Sequence, residues 1–268
     1  MDSPARNDTT GVSMTDSPVA LITGGGSGIG AAVARQLLDK GWRVAVTGRG
    51  EERLRRFAKE LGEPEELLTL TGNAAVYDDV TTAVERTLAE FGRLDTVVAN
   101  AGFATGDSVA EGDPAGWTDM VLTNVLGPAL LIRASIGALK ETRGRIVLVG
   151  SVAGFVPTPG NIYGATKYAV TGLAENTRRE VTDWGVGVTL IAPGRVETPS
   201  GTPTAASRPA TCSPPTRSPT RSSGRWPGRP VSTSTPWSYG PSASPTDPRT
   251  RDGPPHRGEG RRTRTVSR

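Results

Sequence analysis

Residues 18–30 read PVALITGGGSGIG, a short apolar run that passes directly into a glycine-rich loop. VALIT (19–23) has no polar alternation, the pattern of a strand buried on both faces. From Gly28 to Lys40 the apolar residues Ile29, Val33, Leu37 and Leu38 fall at helical spacing. The stretch is therefore a strand, a tight loop and a helix. Its glycines do not fit GxGxxG, because position 29 is Ile; they fit TGxxxGxG, with Gly24, Gly28 and Gly30. Such a loop turns sharply and brings bare backbone close to an anion at the helix N-terminus, where free N–H groups and the helix dipole favour a pyrophosphate. Taken alone, it fits an ordinary strand-to-helix turn as well.

The same alternation repeats outward. WRVAVT (42–47) is a second strand, followed by a charged helix at about 50–62; LLTLT (67–71) is a third, and 78–91 is helical. DTVVAN (95–100) is a fourth strand. Asp113-Pro114 then supplies an N-cap and a first-turn proline for a long helix to about Leu139. RIVLVG (145–150) is a fifth strand, Tyr163 to about Asp183 is helical, and GVTLIAP (187–193) is a sixth strand. Short apolar strands separated by helices predict an α/β fold with a doubly wound parallel sheet, because right-handed crossovers cover both faces.

Charge divides the 268 residues unevenly. The chain holds 31 basic and 27 acidic residues, a net of +4, yet residues 200–268 alone carry 12 Arg against 3 acidic residues. That segment is +9, which leaves −5 on residues 1–199. It also holds 13 of the 22 prolines and lacks Leu, Ile, Phe, Met and Lys, so it is expected to be a disordered tail. The expected organisation is a disordered extension at 1–17, a folded domain at 18–199 and the Pro/Ser/Arg-rich tail at 200–268. Cys212 and His256, the sole Cys and His, both lie in the tail. Thiol chemistry, His general-base chemistry, disulfides and Cys/His zinc sites are thereby excluded from the body, and no metal site is expected. No run of about 18 apolar residues and no apolar signal core stand out, so a cytoplasmic protein without a membrane partner is expected. The body is acidic, and no nucleic-acid partner is expected of it.

Chemistry-bearing residues cluster where strands end. Asn100-Ala101-Gly102 follows the fourth strand and Ser151 the fifth. Tyr163 and Lys167 stand four apart at a helix start, on one face, so an ammonium can sit beside a phenol and favour its ionised form. A tyrosine so placed can exchange protons without any histidine. By itself such a pair is a common chance spacing, more often a core tyrosine and a surface lysine. Pro193-Gly194 follows the sixth strand, with Thr198 four residues later.

Together, TGGGSGIG, NAG, the Asn124 of MVLTNVLG, GS at 150–151, YGATK and APGRVETP resemble the short-chain dehydrogenase/reductase family in order and spacing, over about residues 18–199. The resemblance implies a Rossmann fold and hydride transfer between a nicotinamide dinucleotide and a small carbonyl or alcohol substrate. It implies Tyr163 as general acid or base and Lys167 as the residue that tunes it and holds the nicotinamide ribose. Ser151 would hold the substrate oxygen, and Asn124 would anchor a proton-relay water or simply bond backbone. It further implies Thr23, Gly24, Ser27, Gly28, Ile29, Gly30, Asn100, Ala101, Gly102, Pro193, Gly194, Val196 and Thr198 along the cofactor, with Tyr163 and Lys167 at its reactive end. Asn73, where the family usually has Asp, would accept a bond from the adenine amino group beside Ala74. The family's members form homo-oligomers, an expectation weakened for this chain by its tail.

The end of the second strand bears on cofactor choice. Gly48 replaces the acidic residue that binds ribose hydroxyls in NAD-preferring members, and Arg49 follows. This pattern suits a 2′-phosphate, so NADP(H) is expected over NAD(H). After Thr198-Pro199 the resemblance stops. Under one choice of synonymous codons, a one-base shift of residues 232–245 reads VDVNTVVVRPIGQP, typical of the family's last strand, which points to a frameshift and a missing final strand. The alternative function is then a catalytically impaired dinucleotide-binding protein.

Overall fold

Each apolar run named above forms a strand in the structure, a computed structural model that describes residues 17–157 and 159–194. These are β1 (Val19–Thr23), β2 (Arg43–Gly48), β3 (Leu67–Thr71), β4 (Thr96–Ala99), β5 (Arg145–Val149) and β6 (Gly187–Ile191). Among the described residues they make one sheet in the order β3-β2-β1-β4-β5-β6, and every pairing is parallel. The order reverses between β1 and β4, so the crevice at their carboxyl ends lies at the switch point of a Rossmann sheet.

Helices α1 (Gly28–Leu38), α2 (Glu51–Glu60), α3 (Tyr77–Phe91), α4 (Pro114–Val121), α5 (Gly127–Thr142) and α6 (Tyr163–Val181) connect them. Trp42, expected to open β2, instead closes α1: its N–H bonds Leu37 O at 3.0 Å after Gly41 turns left-handed at φ 78°. Asp113 caps α4, accepting from the N–H groups of Ala115 at 3.0 Å and Gly116 at 3.3 Å. The long helix departs from its expected course. A π turn at Leu122–Leu126 interrupts it, with the Gly127 N–H reaching back to Leu122 O, and it runs on to Thr142. Hydrophobic spacing does not register one inserted residue. By length and composition Pro114–Thr142 could also cross a membrane, although Met120, Leu131 and Leu139 along it are buried.

The core has two layers. On one face α3, α5 and α6 bury Val80, Leu131, Leu139, Val170 and Val181 against Leu21, Val97, Ile146 and Leu148. On the other, α1 and α2 bury Ala34, Leu54 and Phe57 against Ile22, Val44 and Val46. Strand β1 is buried throughout. On the α1/α2 face Val147 and Val149 pack half-buried against that cluster, while Ile191, at the end of β6, is 47% exposed.

Candidate active site

The glycine loop is shaped by side chains it lacks. Gly24 sits at φ 67°, left-handed backbone that an L side chain rarely adopts. At Gly30 a Cβ would fall 2.5 Å from both Asn100 Nδ2 and Gly24 O, so only a bare Cα fits. Asn100 holds this close approach. Its amide donates to Thr23 O at 3.0 Å and Gly24 O at 3.1 Å, while Thr23 Oγ1 accepts from the Asn100 N–H at 3.2 Å and the Ala101 N–H at 3.1 Å. Ser27, at the N-cap of α1, makes no side-chain cap, so nothing from Ser27 covers the amides of Gly28, Ile29 and Gly30. A loop with bare glycines beneath an uncapped helix start fits a dinucleotide pyrophosphate.

Gly48 ends β2 and Arg49 stands exposed after it. Asn73 is engaged locally: its side-chain oxygen accepts from the Ala75 N–H at 3.1 Å, and its own N–H donates to Asp79 at 2.8 Å. The oxygen expected to meet adenine therefore keeps one lone pair for it. Ala74 lies against the start of α5, where a Cβ on Gly127 would come within 3.0 Å of its carbonyl.

Beyond β5, Ser151 is buried and its hydroxyl oxygen accepts from the Ala153 N–H at 3.1 Å, which leaves the hydroxyl hydrogen free to donate. Pro193 joins the same corner by accepting from the Val152 N–H at 3.1 Å; Gly194 follows it, exposed. Tyr163 opens α6, half-buried, and Lys167 lies one turn below it, buried. The ammonium donates to Val149 O at 3.0 Å and stands 5.7 Å from the Tyr163 ring centre. Burial pushes its pKa down to about 8. Val196 and Thr198 lie outside the described residues.

Asn124 occupies the π turn, fully buried, and grips the backbone of Phe103. Its oxygen accepts from the Phe103 N–H at 2.9 Å, and its amide donates to Phe103 O at 2.9 Å and Thr166 Oγ1 at 3.2 Å. Both amide hydrogens are thus engaged by protein. Gly102 fits between this amide and Lys167: a Cβ there would lie 3.0 Å from Asn124 Oδ1 and 3.7 Å from Lys167 Nζ. Sequence reasoning missed Thr166, which accepts from Asn124 and donates to Tyr163 O at 2.7 Å. It also missed Asp107 and Asn161. Asn161, two residues before the tyrosine, carries a capping side chain that could have been noticed; nothing local marks Asp107.

The family model described as short chain dehydrogenase matches residues 18–208, somewhat past the expected domain end. Sulfoacetaldehyde reductase 2 of Chromohalobacter salexigens is 39% identical over 186 residues, 68% of this chain and 74% of that protein. A crystal structure of an actinorhodin polyketide ketoreductase variant with NADPH is 36% identical, superposes with a TM-score of 0.66 and covers 69% of this chain and 73% of its own. A short-chain dehydrogenase/reductase from Burkholderia phymatum in complex with NAD is 28% identical, with a TM-score of 0.65, over 70% of this chain and 69% of its own.

Proposed function

Because the chain belongs to the short-chain dehydrogenase family of oxidoreductases, we propose that it reduces a carbonyl compound, or oxidises the corresponding secondary alcohol, with NADP(H) and with Tyr163 as the acid or base. The observation that carries this reading is the buried Lys167 ammonium, one helical turn below Tyr163 and 5.7 Å from its ring. A cation there places positive charge beside the group proposed to give and take the proton. The nicotinamide, when bound, supplies or accepts the hydride.

The chain's own residues do the rest. In the reductive direction Tyr163 gives its phenol proton to the substrate's carbonyl oxygen, and Ser151 steadies that oxygen with its free hydroxyl hydrogen. Thr23 and Asn100 lock the loop in which Gly24, Gly28 and Gly30 receive the pyrophosphate, with Asn73 and Ala74 beside the adenine. Asn124 fixes Phe103 and, through Thr166, the start of α6. Arg49, exposed after the neutral Gly48, pairs with a 2′-phosphate, and NADPH in the actinorhodin ketoreductase is in keeping with that choice. The test is oxidation of NADPH by purified protein across ketones and 3-oxoacyl compounds. Faster turnover with NADPH than NADH is expected; equal or better turnover with NADH contradicts the cofactor assignment.

A second reading is dinucleotide binding with little turnover. It draws support from the sheet edge, where Ile191 of β6 is 47% exposed. In this reading the codons after Pro199 are out of frame, and a frame-restored protein melts higher and turns over faster than the chain as given. Equal melting temperatures contradict it, as does an intact reading frame on resequencing the gene at that point.

A further inference from the structure

Two loops meet directly in front of α6. One, after β4, runs from Asn100 to Asp113; the other, after β5, ends at Ile162. They are joined by side chains 54 to 56 residues apart in sequence. Asn161 is the hub. Its amide donates to Thr105 O at 2.9 Å, to Thr105 Oγ1 at 2.6 Å and to the Asp107 carboxylate, while its oxygen accepts from the Tyr163 N–H at 2.8 Å. Asp107 is itself held, accepting from Thr105 Oγ1 at 2.5 Å and from the Trp117 indole at 2.9 Å. Gly112 leaves the room these two need: a Cβ there would fall 2.2 Å from Asp107 Oδ2 and 2.4 Å from Trp117 Cζ2. The Val109 N–H adds a backbone bond to Gly160 O at 3.2 Å.

Tyr163 is thereby held at both ends of its peptide. Asn161 takes its N–H, and Thr166, itself bonded by Asn124, takes its carbonyl. A capping side chain alone needs only to accept from the helix. Asn161 does that while its amide reaches across to another loop, so the depth of the first α6 turn is set by the β4 side of the crevice. We propose that Asn161 and Asp107 are a positioning pair for Tyr163, fixing where its phenol stands relative to Ser151 and Lys167. The proposal rests on the reading of Tyr163 as the proton donor. The Asp107 carboxyl is held at about 2 by the Thr105 hydroxyl, the Asn161 amide and the Trp117 indole, so the pair stays charged throughout the range in which turnover is measured.

The test uses the full chain with Asn161→Ala, Asn161→Asp and the exchange Asp107→Asn/Asn161→Asp, beside Tyr163→Phe. Asn161→Ala is expected to lower kcat by about 10- to 100-fold, the scale of a reacting group misplaced by an ångström, with KM for the ketone and Kd for NADPH unchanged. Asn161→Asp sets two carboxylates against each other and loses as much; the exchange restores an amide–carboxylate pair in reverse and recovers kcat. Hydrogen exchange at the Tyr163 to Lys167 amides, read without turnover, quickens in Asn161→Ala. An unchanged kcat or unchanged exchange overturns the proposal. So does a fall in kcat matched by weaker NADPH binding and a lower Tm, which marks a pair that merely holds the fold. Turnover retained by Tyr163→Phe removes the proton-transfer reading and the positioning role with it; turnover lost there but unaffected by Asn161→Ala removes the positioning role alone.

Discussion

The loop after β1 and the two loops after β4 and β5 lie at the same edge of the sheet but are built on opposite principles. The first is shaped by absence: Gly24 and Gly30 leave space that any Cβ would fill, and the backbone itself is the binding surface. The second is shaped by polar side chains that reach between distant segments, Asn124 to Phe103, Asn161 to Asp107, and Lys167 to Val149. A site made by sterics is indifferent to pH and intolerant of added atoms. A site made by charge and hydrogen bonds also titrates, as Lys167 does.

The largest effect that separates the two halves is in Lys167. Its folded pKa of about 8 lies below the ordinary 10.5, so between those values the unfolded chain binds the proton more tightly. Stability from this group therefore rises as pH climbs through that window, by about 3 kcal/mol, and Lys167→Met removes the rise. Urea unfolding of both proteins at several pH values measures it; parallel curves would break the contrast. In the same window kcat/KM for carbonyl reduction declines above about pH 8, as the ammonium beside Tyr163 is lost.

Next comes Gly30→Ala, which drives a methyl group to 2.5 Å from Gly24 O. Overpacking of this kind costs about 1–3 kcal/mol, so the affinity for NADPH falls about 5- to 150-fold, equally at all pH values. Gly137→Ala, on α5 with nothing within 4 Å, is the control and raises stability by about 0.5–1 kcal/mol. Wild-type affinity in Gly30→Ala, by fluorescence titration, would show that the loop is not the cofactor's seat. The smallest effect is that of Arg49→Ala, which raises KM for NADPH about tenfold, the size of one charge-assisted contact, and leaves KM for NADH alone. Equal changes for both cofactors would sever Arg49 from the 2′-phosphate.

This contrast also explains what could be read from the chain before its structure. The glycine loop is local: TGGGSGIG is contiguous, and spacing alone places it between β1 and α1. The six strands were legible for the same reason, since a run such as VALIT is apolar throughout and β1 is buried along its whole length. Tyr163 and Lys167 share one helical face and could be paired by counting. Asp107 could not, nor could the reach of Asn161 to Thr105 and Asp107 or the bond from Asn124 to Thr166, because those partners lie on other elements and an isolated Asp or Thr carries no signal of what it will touch. The π turn escaped for a related reason. One extra residue in a helix shifts its apolar stripe too little to be seen in MVLTNVLG, yet it is where Asn124 sits.

The central claim is that Tyr163 moves the proton while the glycine loop and its Asn100 lock hold the cofactor. It is tested most directly by titrating Tyr163→Phe with NADPH and assaying the same preparation for turnover. The account predicts unchanged NADPH affinity with turnover lowered by about 10²- to 10⁴-fold, the scale of a lost general acid. Turnover within a fewfold of the parent protein, with NADPH still bound, would contradict it.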